Sequence, residues 1–239
     1  QTATRLRGRI EQVLAWATAA GFRQGENCAR WAGLLDQLLP APGKVSEPRH
    51  HPAVRVDDMP AFIKALRQHD GLSPKALEFV VLTAARSGEV RGATWAEIDL
   101  EAAVWTVPPE RMKAGKEHRV PLSAAAIKLL EAMPRIEGTE LVFPAPRGGQ
   151  LSDMALTALT RRMNFRDDAG RVCVPHGFRS SFRDWVFERT DYPRDLAEAA
   201  LAHALENKVE AAYRRGDALE RRRAMMQAWA NYCEGVANG

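Results

Sequence analysis

The sequence predicts a mainly helical chain with a small antiparallel β-sheet, of the α+β class, in which a partial helical domain precedes a larger unit. Three observations predict it. Most apolar residues recur at helical spacing, short β-type runs occur only on either side of Lys113-Ala-Gly-Lys116, and a proline-rich stretch separates the first helices from everything after them. Apolar residues make up 46% of the 239 positions and charged residues 27%, a balance that can bury a core and argues against disorder.

The elements follow in order. Thr4 to Ala20 carries Leu6, Ile10, Val13, Leu14 and Ala17 on one stripe and stops at Gly21, as an amphipathic helix does. A second helix is expected over about Ala29 to Leu39. Pro40-Ala-Pro-Gly-Lys-Val-Ser-Glu-Pro48 then reads as a linker. The expected organisation is therefore 1–42 as the C-terminal part of a helical module, 43–52 as linker and 53–239 as the larger unit. Two helices bury little by themselves, so the first piece is expected to be the remainder of a larger helical module.

Beyond the linker, Asp57 to Gln68 and Ser73 to Ala85 have helical spacing, with Ser73 expected as N-cap and Pro74 at the first helical position. Val104 to Val107 and His118 to Val120 read as two strands of a hairpin. Helical pattern resumes at Ser123 to Met133, Ser152 to Met163, His176 to about Arg189 and Asp217 to Cys233. There is no internal repeat and no low-complexity tract.

Lysine and arginine number 34 against 30 acidic residues, a formal charge of +4 that leans towards polyanionic partners. Arginines cluster at Arg5, Arg7 and Arg9, at Arg161 and Arg162, and from Arg221 to Arg223. Each cluster could be a solvated helix face or a set of phosphate contacts. The three cysteines, Cys28, Cys173 and Cys233, are widely spaced and suggest neither a disulfide framework nor a CxxC metal site, which fits a reducing cytoplasm. No apolar run reaches the roughly 18 residues of a membrane span, and no signal-peptide pattern opens the sequence. The acidic residues show no metal-ligand spacing, and the adjacent pair His50-His51 is expected to face solvent.

Five stretches hold residues suited to chemistry on an anion. Thr83-Ala-Ala-Arg86-Ser-Gly-Glu89 puts an arginine where an apolar helix breaks; alone, it could simply cap that helix. His176-Gly-Phe-Arg179 puts a histidine and an arginine three apart on one helical face, where both can address one anion or merely pack. Leu201-Ala-His203 precedes Tyr213, a tyrosine between alanine and arginine that by itself reads as a packing residue. Lys113 and Lys116 share the hairpin turn.

Taken jointly, the order Arg86, His176, Arg179, His203, Tyr213 resembles the active-site signature of the tyrosine recombinase family, and of its phage and genomic-island integrases in particular. The surroundings are similar too: Leu82 to Glu89, Asp184-Trp185 after the HxxR pair, Leu201-Ala-His203, and the closing Arg222-Arg-Ala-Met-Met-Gln-Ala-Trp229. The resemblance runs from about residue 53 to 235, and more weakly through the first 45, and it implies a catalytic-domain fold preceded by part of a core-type DNA-binding domain. Nothing in this sequence resembles the separate arm-binding domain that many such integrases carry.

The resemblance further implies Tyr213 as nucleophile, Arg86 and Arg179 on the scissile phosphate, His176 as base, His203 as a phosphate hydrogen-bonder and Glu89 as an orienting group. Lys113 would be the general acid, with Lys116 as the alternate. No cofactor and no metal is implied. Partners would be duplex DNA at attachment sites, gripped through Arg5, Arg7, Arg9, Lys116, Arg161 and Arg162, and other protomers in a tetrameric synapse, the chain being a monomer without DNA. Accessory bending or directionality proteins, and a bacterial cytoplasmic location at the nucleoid, complete the expectation. The last helix could dock in cis or on a neighbour. Two other readings share parts of the pattern: a non-catalytic DNA-binding regulator, and a type IB topoisomerase. The first would form no covalent adduct, and the second would relax supercoiled DNA without a specific site.

Overall fold

The computed structural model describes residues 2–41, 45, 50–203 and 218–236. The chain divides into two compact units, Gln1–His50 and His51–Gly239. Tyr213 lies outside the described residues, as does most of the expected linker.

In the first unit, helix α1 (Thr2–Ala19) is followed by a turn over Trp31–Leu35 and a short helix α2 (Asp36–Leu38). The single helix expected over Ala29 to Leu39 is broken because Ala32 is extended and Gly33 has a φ of 74°, a left-handed conformation that glycine adopts without strain. The Arg7 guanidinium pairs with Glu11, donates to the Ala29 carbonyl at 2.6 Å and lies over the Trp31 ring. Asn27 Nδ2 donates to the Glu11 carbonyl at 2.8 Å. These contacts return the chain to α1 through polar groups, while Leu6, Ile10, Val13 and Trp16 stay exposed.

The second unit is a helical body with one small sheet. Its elements are α3 (Met59–Leu66), α4 (Leu72–Thr83), α5 (Ser87–Arg91), β1 (Ile98–Asp99), β2 (Val104–Val107), β3 (His118–Pro121), α6 (Ala124–Glu131), α7 (Asp153–Met163), α8 (Gly177–Arg189), α9 (Arg194–Ala200) and α10 (Leu219–Glu234). The sheet has the order β1-β2-β3, all antiparallel, with Ile98 opposite Trp105 and Trp105 opposite Val120. The hairpin β2–β3 stands as the sequence predicts. β1, at two residues, is too short to leave a period.

Helix starts follow local chemistry. Ser123 and Ser152 cap α6 and α7 by accepting the N–H of Ala126 and Ala155. Ser73 does not cap α4, contrary to expectation: the helix begins at Leu72, preceded by Gly71 at a φ of 103°, so the serine already lies within the first turn. α4 is buried almost throughout and forms the centre of the core. α10 closes that core. Trp229 is fully buried against Phe182, Trp185 and Tyr232, and its indole N–H donates to the Val81 carbonyl at 2.8 Å. Arg67 ties the same helix to the body by bridging Glu78 at 2.7 Å and Glu234 at 2.6 Å. Among the described residues, no helix is long and apolar enough to cross a membrane.

Candidate active site

α4 ends abruptly because Ala84 takes a left-handed φ of 51°, which turns the chain out and leaves Arg86 extended at the start of α5. Glu89 holds that arginine in place. Its Oε2 accepts the Arg86 backbone N–H at 3.0 Å while its Oε1 pairs with Arg86 Nη1 at 2.7 Å, and the carboxylate is 5% exposed. A buried carboxylate demands such a partner, so the pair fixes the guanidinium by electrostatics and by a cap together.

α8 supplies the next two groups, and the approach of its first turn to the chain ahead is close. A Cβ on Gly177 would lie 2.0 Å from the Pro52 carbonyl oxygen, so only glycine lets residues 52–53 pass there. His176 precedes that glycine, and Arg179 sits one turn on, 4% exposed. Its Nη1 donates to the Ala84 carbonyl at 2.7 Å and its Nη2 to the Leu201 carbonyl at 2.6 Å, so two distant segments meet on one guanidinium. Arg179 Nε has no hydrogen-bond partner among the described residues. Burial first, and then the nearby Arg86 charge, bring the Arg179 pKa down to about 10.

His203 follows α9, where Ala202 at a φ of 48° folds the chain back. Its Nε2 faces Arg179 Nη2 at 2.9 Å and its Nδ1 faces Glu198 Oε2 at 2.6 Å. Arg179 can only donate and a carboxylate can only accept, which assigns the ring proton to Nδ1. Glu198 Oε1 in turn lies 3.0 Å from Arg183 Nε. That contact is an ion pair rather than an aligned hydrogen bond, since Oε1 receives no hydrogen bond among the described residues.

His176 keeps solvent access on one side, yet its pKa is lowered to about 4. Burial of the other side is the main cause, followed by His51, Arg179, Arg86 and His203. The His51 ring meets it edge-on with centroids 4.5 Å apart. His51 is exposed, as expected, but it is not idle. His118 on β3 also has its pKa lowered to about 4, by burial and then by Arg222, and its Nε2–H donates to the Ala200 carbonyl at 3.2 Å, which joins the hairpin to the end of α9.

Arg86, Glu89, Lys113 and His176 share the walls of an open cleft of about 520 Å³ with Arg91, Arg111 and Asp153. Arg179 and His203 adjoin His176 closely enough to influence its charge. Five of the six expected catalytic residues thus come from separate stretches to one place, and Tyr213 lies outside the described residues. Lys116 is exposed further along the turn and does not line the cleft. Of the residues expected to grip DNA, Arg5, Arg9, Arg161 and Arg162 are exposed, whereas Arg7 is engaged by Glu11 and Ala29. Glu198 and Arg183 escaped the sequence reading, and His51 was read only as facing solvent, with no link to His176. The one available signal was a glutamate about a helical turn ahead of His203.

This arrangement has the chemistry of an oxyanion site. Arg86, Lys113 and His176 line the cleft with Arg179 and His203 adjoining His176, and arginine forks match phosphate oxygens in geometry and charge. Among the described residues, no group of three His, Cys, Asp or Glu is placed to hold a metal ion.

The chain has relatives among known proteins. Residues 53–220 match the phage integrase family, and residues 1–34 match the phage integrase central domain. The chain is 33% identical over its whole length to the prophage integrase IntA of Escherichia coli strain K12, covering 56% of that protein. It is 31% identical over 97% of its length to the integrase of Enterobacteria phage P4, covering 55% of it. The chain therefore spans about half the length of these curated relatives. Among solved structures, a lambda integrase tetramer bound to a Holliday junction superposes with a TM-score of 0.60 at 19% identity, over 86% of this chain and 59% of that one. XerA recombinase gives 0.54 at 18% identity, over 77% of this chain and 67% of that one. Both likenesses concern the fold.

Proposed function

The chain belongs to the phage integrase family, and from that membership we propose that it cleaves and rejoins DNA strands in site-specific recombination through a 3'-phosphotyrosyl intermediate. The observation that carries this reading is the gathering of Arg86, His176, Arg179 and His203 beside Lys113, with the Arg179 fork spanning Ala84 and Leu201.

A DNA phosphodiester resists attack because its anionic oxygens repel a nucleophile, so neutralising charge is the first task. Arg86 and Arg179 perform it by hydrogen-bonding the two non-bridging oxygens. Those contacts strengthen as charge builds on the oxygens in the pentavalent transition state, which is where they lower the barrier. The Tyr213 phenol oxygen forms a bond to phosphorus and its proton passes to His176, which burial first and then the neighbouring basic groups keep neutral and able to accept it. The bond from phosphorus to the 5' oxygen breaks, and Lys113 protonates the departing oxygen. In the reverse step a 5'-hydroxyl attacks phosphorus and the phenol leaves. The ester stores the bond energy, so no ATP is needed.

Several partners follow on the same reading. Duplex DNA would be held through phosphate contacts from Arg5, Arg9, Arg161 and Arg162, with affinity falling steeply as salt rises. Other protomers would join in a four-membered synapse, a state for which the lambda integrase tetramer supplies the precedent, while the chain alone would be a monomer. Accessory DNA-bending or directionality proteins, and a place at the bacterial nucleoid, belong to the same picture.

The test uses a nicked duplex carrying a site that the chain itself selects from a randomised library. Wild type should yield a covalent protein–DNA adduct in the presence of EDTA, and Tyr213→Phe should yield none while still binding. Tight binding without any adduct would make the protein a DNA-binding regulator, and relaxation of supercoiled DNA lacking the site would make it a topoisomerase.

A further inference from the structure

We propose that Glu198 is a positioning residue that fixes which nitrogen of His203 carries the ring proton, and so what Nε2 offers to the scissile phosphate, with Arg183 deciding how Glu198 does so. The inference deepens the recombinase reading above and rests on it for its kinetic consequence.

The geometry is a relay of three side chains behind the site. Arg183 Nε lies 3.0 Å from Glu198 Oε1, Glu198 Oε2 lies 2.6 Å from His203 Nδ1, and His203 Nε2 lies 2.9 Å from Arg179 Nη2. Glu198 is largely enclosed, with 17% of its side chain exposed, so its contacts face less competition from water than those of a surface carboxylate. An imidazole has two tautomers of nearly equal energy, and what the other nitrogen bonds to selects between them. With a carboxylate on Nδ1, the proton must sit there. Nε2 is then the atom aimed at the anion, an acceptor from Arg179 in the free protein and a donor to a phosphate oxygen once it takes a proton. The backbone keeps the ring in register, because the His203 N–H donates to the Glu198 carbonyl at 3.0 Å.

Glu198→Gln separates this role from simple packing. The amide is isosteric, but only one of its two ends is an acceptor. Arg183 is a cation and attracts the amide oxygen, which turns the NH2 towards His203 Nδ1. Nδ1 must then be the acceptor and the ring proton moves to Nε2, where it opposes the Arg179 N–H, donor against donor. Removing Arg183 as well frees the amide to rotate and offer its oxygen to Nδ1 again. The relay therefore predicts that Arg183→Ala restores what Glu198→Gln removes, an outcome that no packing role produces.

The experiment has two arms. In the first, long-range 1H–15N spectra of 15N-histidine-labelled protein without DNA report the tautomer of His203, assigned by its loss in His203→Gln. The Nδ1–H form is expected in wild type and in Arg183→Ala/Glu198→Gln, and the Nε2–H form in Glu198→Gln. In the second, adduct formation on the nicked duplex should slow at least about tenfold in Glu198→Gln at unchanged DNA affinity, and recover several-fold in the double variant. An unaltered tautomer in Glu198→Gln, or a double variant as slow as Glu198→Gln, overturns the proposal. If wild type forms no adduct at all, the recombinase reading fails instead, and the spectra alone then decide whether Glu198 sets the ring.

Discussion

Two imidazoles beside the cleft are held neutral, and that has a price in acid. His118 and His176 both have folded-state pKa values lowered from the ordinary 6.5 to about 4, so between those limits the unfolded chain binds protons that the native chain refuses. Their contribution to stability is intact above about 6.5 and is lost as pH falls towards 4. His118→Gln, which can still donate to the Ala200 carbonyl, removes one proton from that balance. Its thermal stability should fall less than that of wild type between pH 7.5 and pH 5, by about 1–2 kcal/mol; parallel curves would contradict the assignment. Residue types in chain order made Arg86, His176, Arg179 and His203 legible, because arginine forks and imidazoles have few other joint uses. Glu198 was not legible. It meets His203 only because Ala202 takes a left-handed φ of 48° and reverses the chain, and an alanine carries no sign of that turn.

Single elements were mostly readable from period and caps, and their misreadings have physical causes. Ser73 had the chemistry of an N-cap, but the positive φ of Gly71 started α4 two residues earlier. α9 passed without notice, its seven residues being too few to establish a helical period. The junction ahead of α8 was hidden because a close approach between backbones has no side chain to advertise it. Gly177→Ala tests that junction, since its Cβ would meet the Pro52 carbonyl at 2.0 Å and residues 52–53 would have to move. The variant should lose at least about 2 kcal/mol in urea unfolding. It should also disturb the His176 ring resonance, because His51, which the shifted segment carries, packs against that ring. A stability within about 0.5 kcal/mol of wild type, the range of ordinary surface substitutions, would mean that the segment yields freely.

At the scale of the whole second unit, stability concentrates where α4, α8 and α10 meet. Trp229 fills that junction and satisfies its indole N–H on the Val81 carbonyl, so Trp229→Ala removes packing and a hydrogen bond together. The expected loss in chemical denaturation is about 3–5 kcal/mol, and a loss under about 1 kcal/mol would show that α10 is only loosely applied to the core. The α+β class and the order of elements could be read from the sequence, but the seating of α10 on its own chain could not, since an apolar helical face fits its own body or a neighbour equally well. One feature of the seat itself outlasts any particular sequence. The acceptors that hold Arg179 are main-chain carbonyls of Ala84 and Leu201, which no substitution can delete. A replacement at 84 or 201 that keeps the course of the chain therefore leaves both acceptors in place, and the Arg179 guanidinium is anchored to atoms that every residue type supplies.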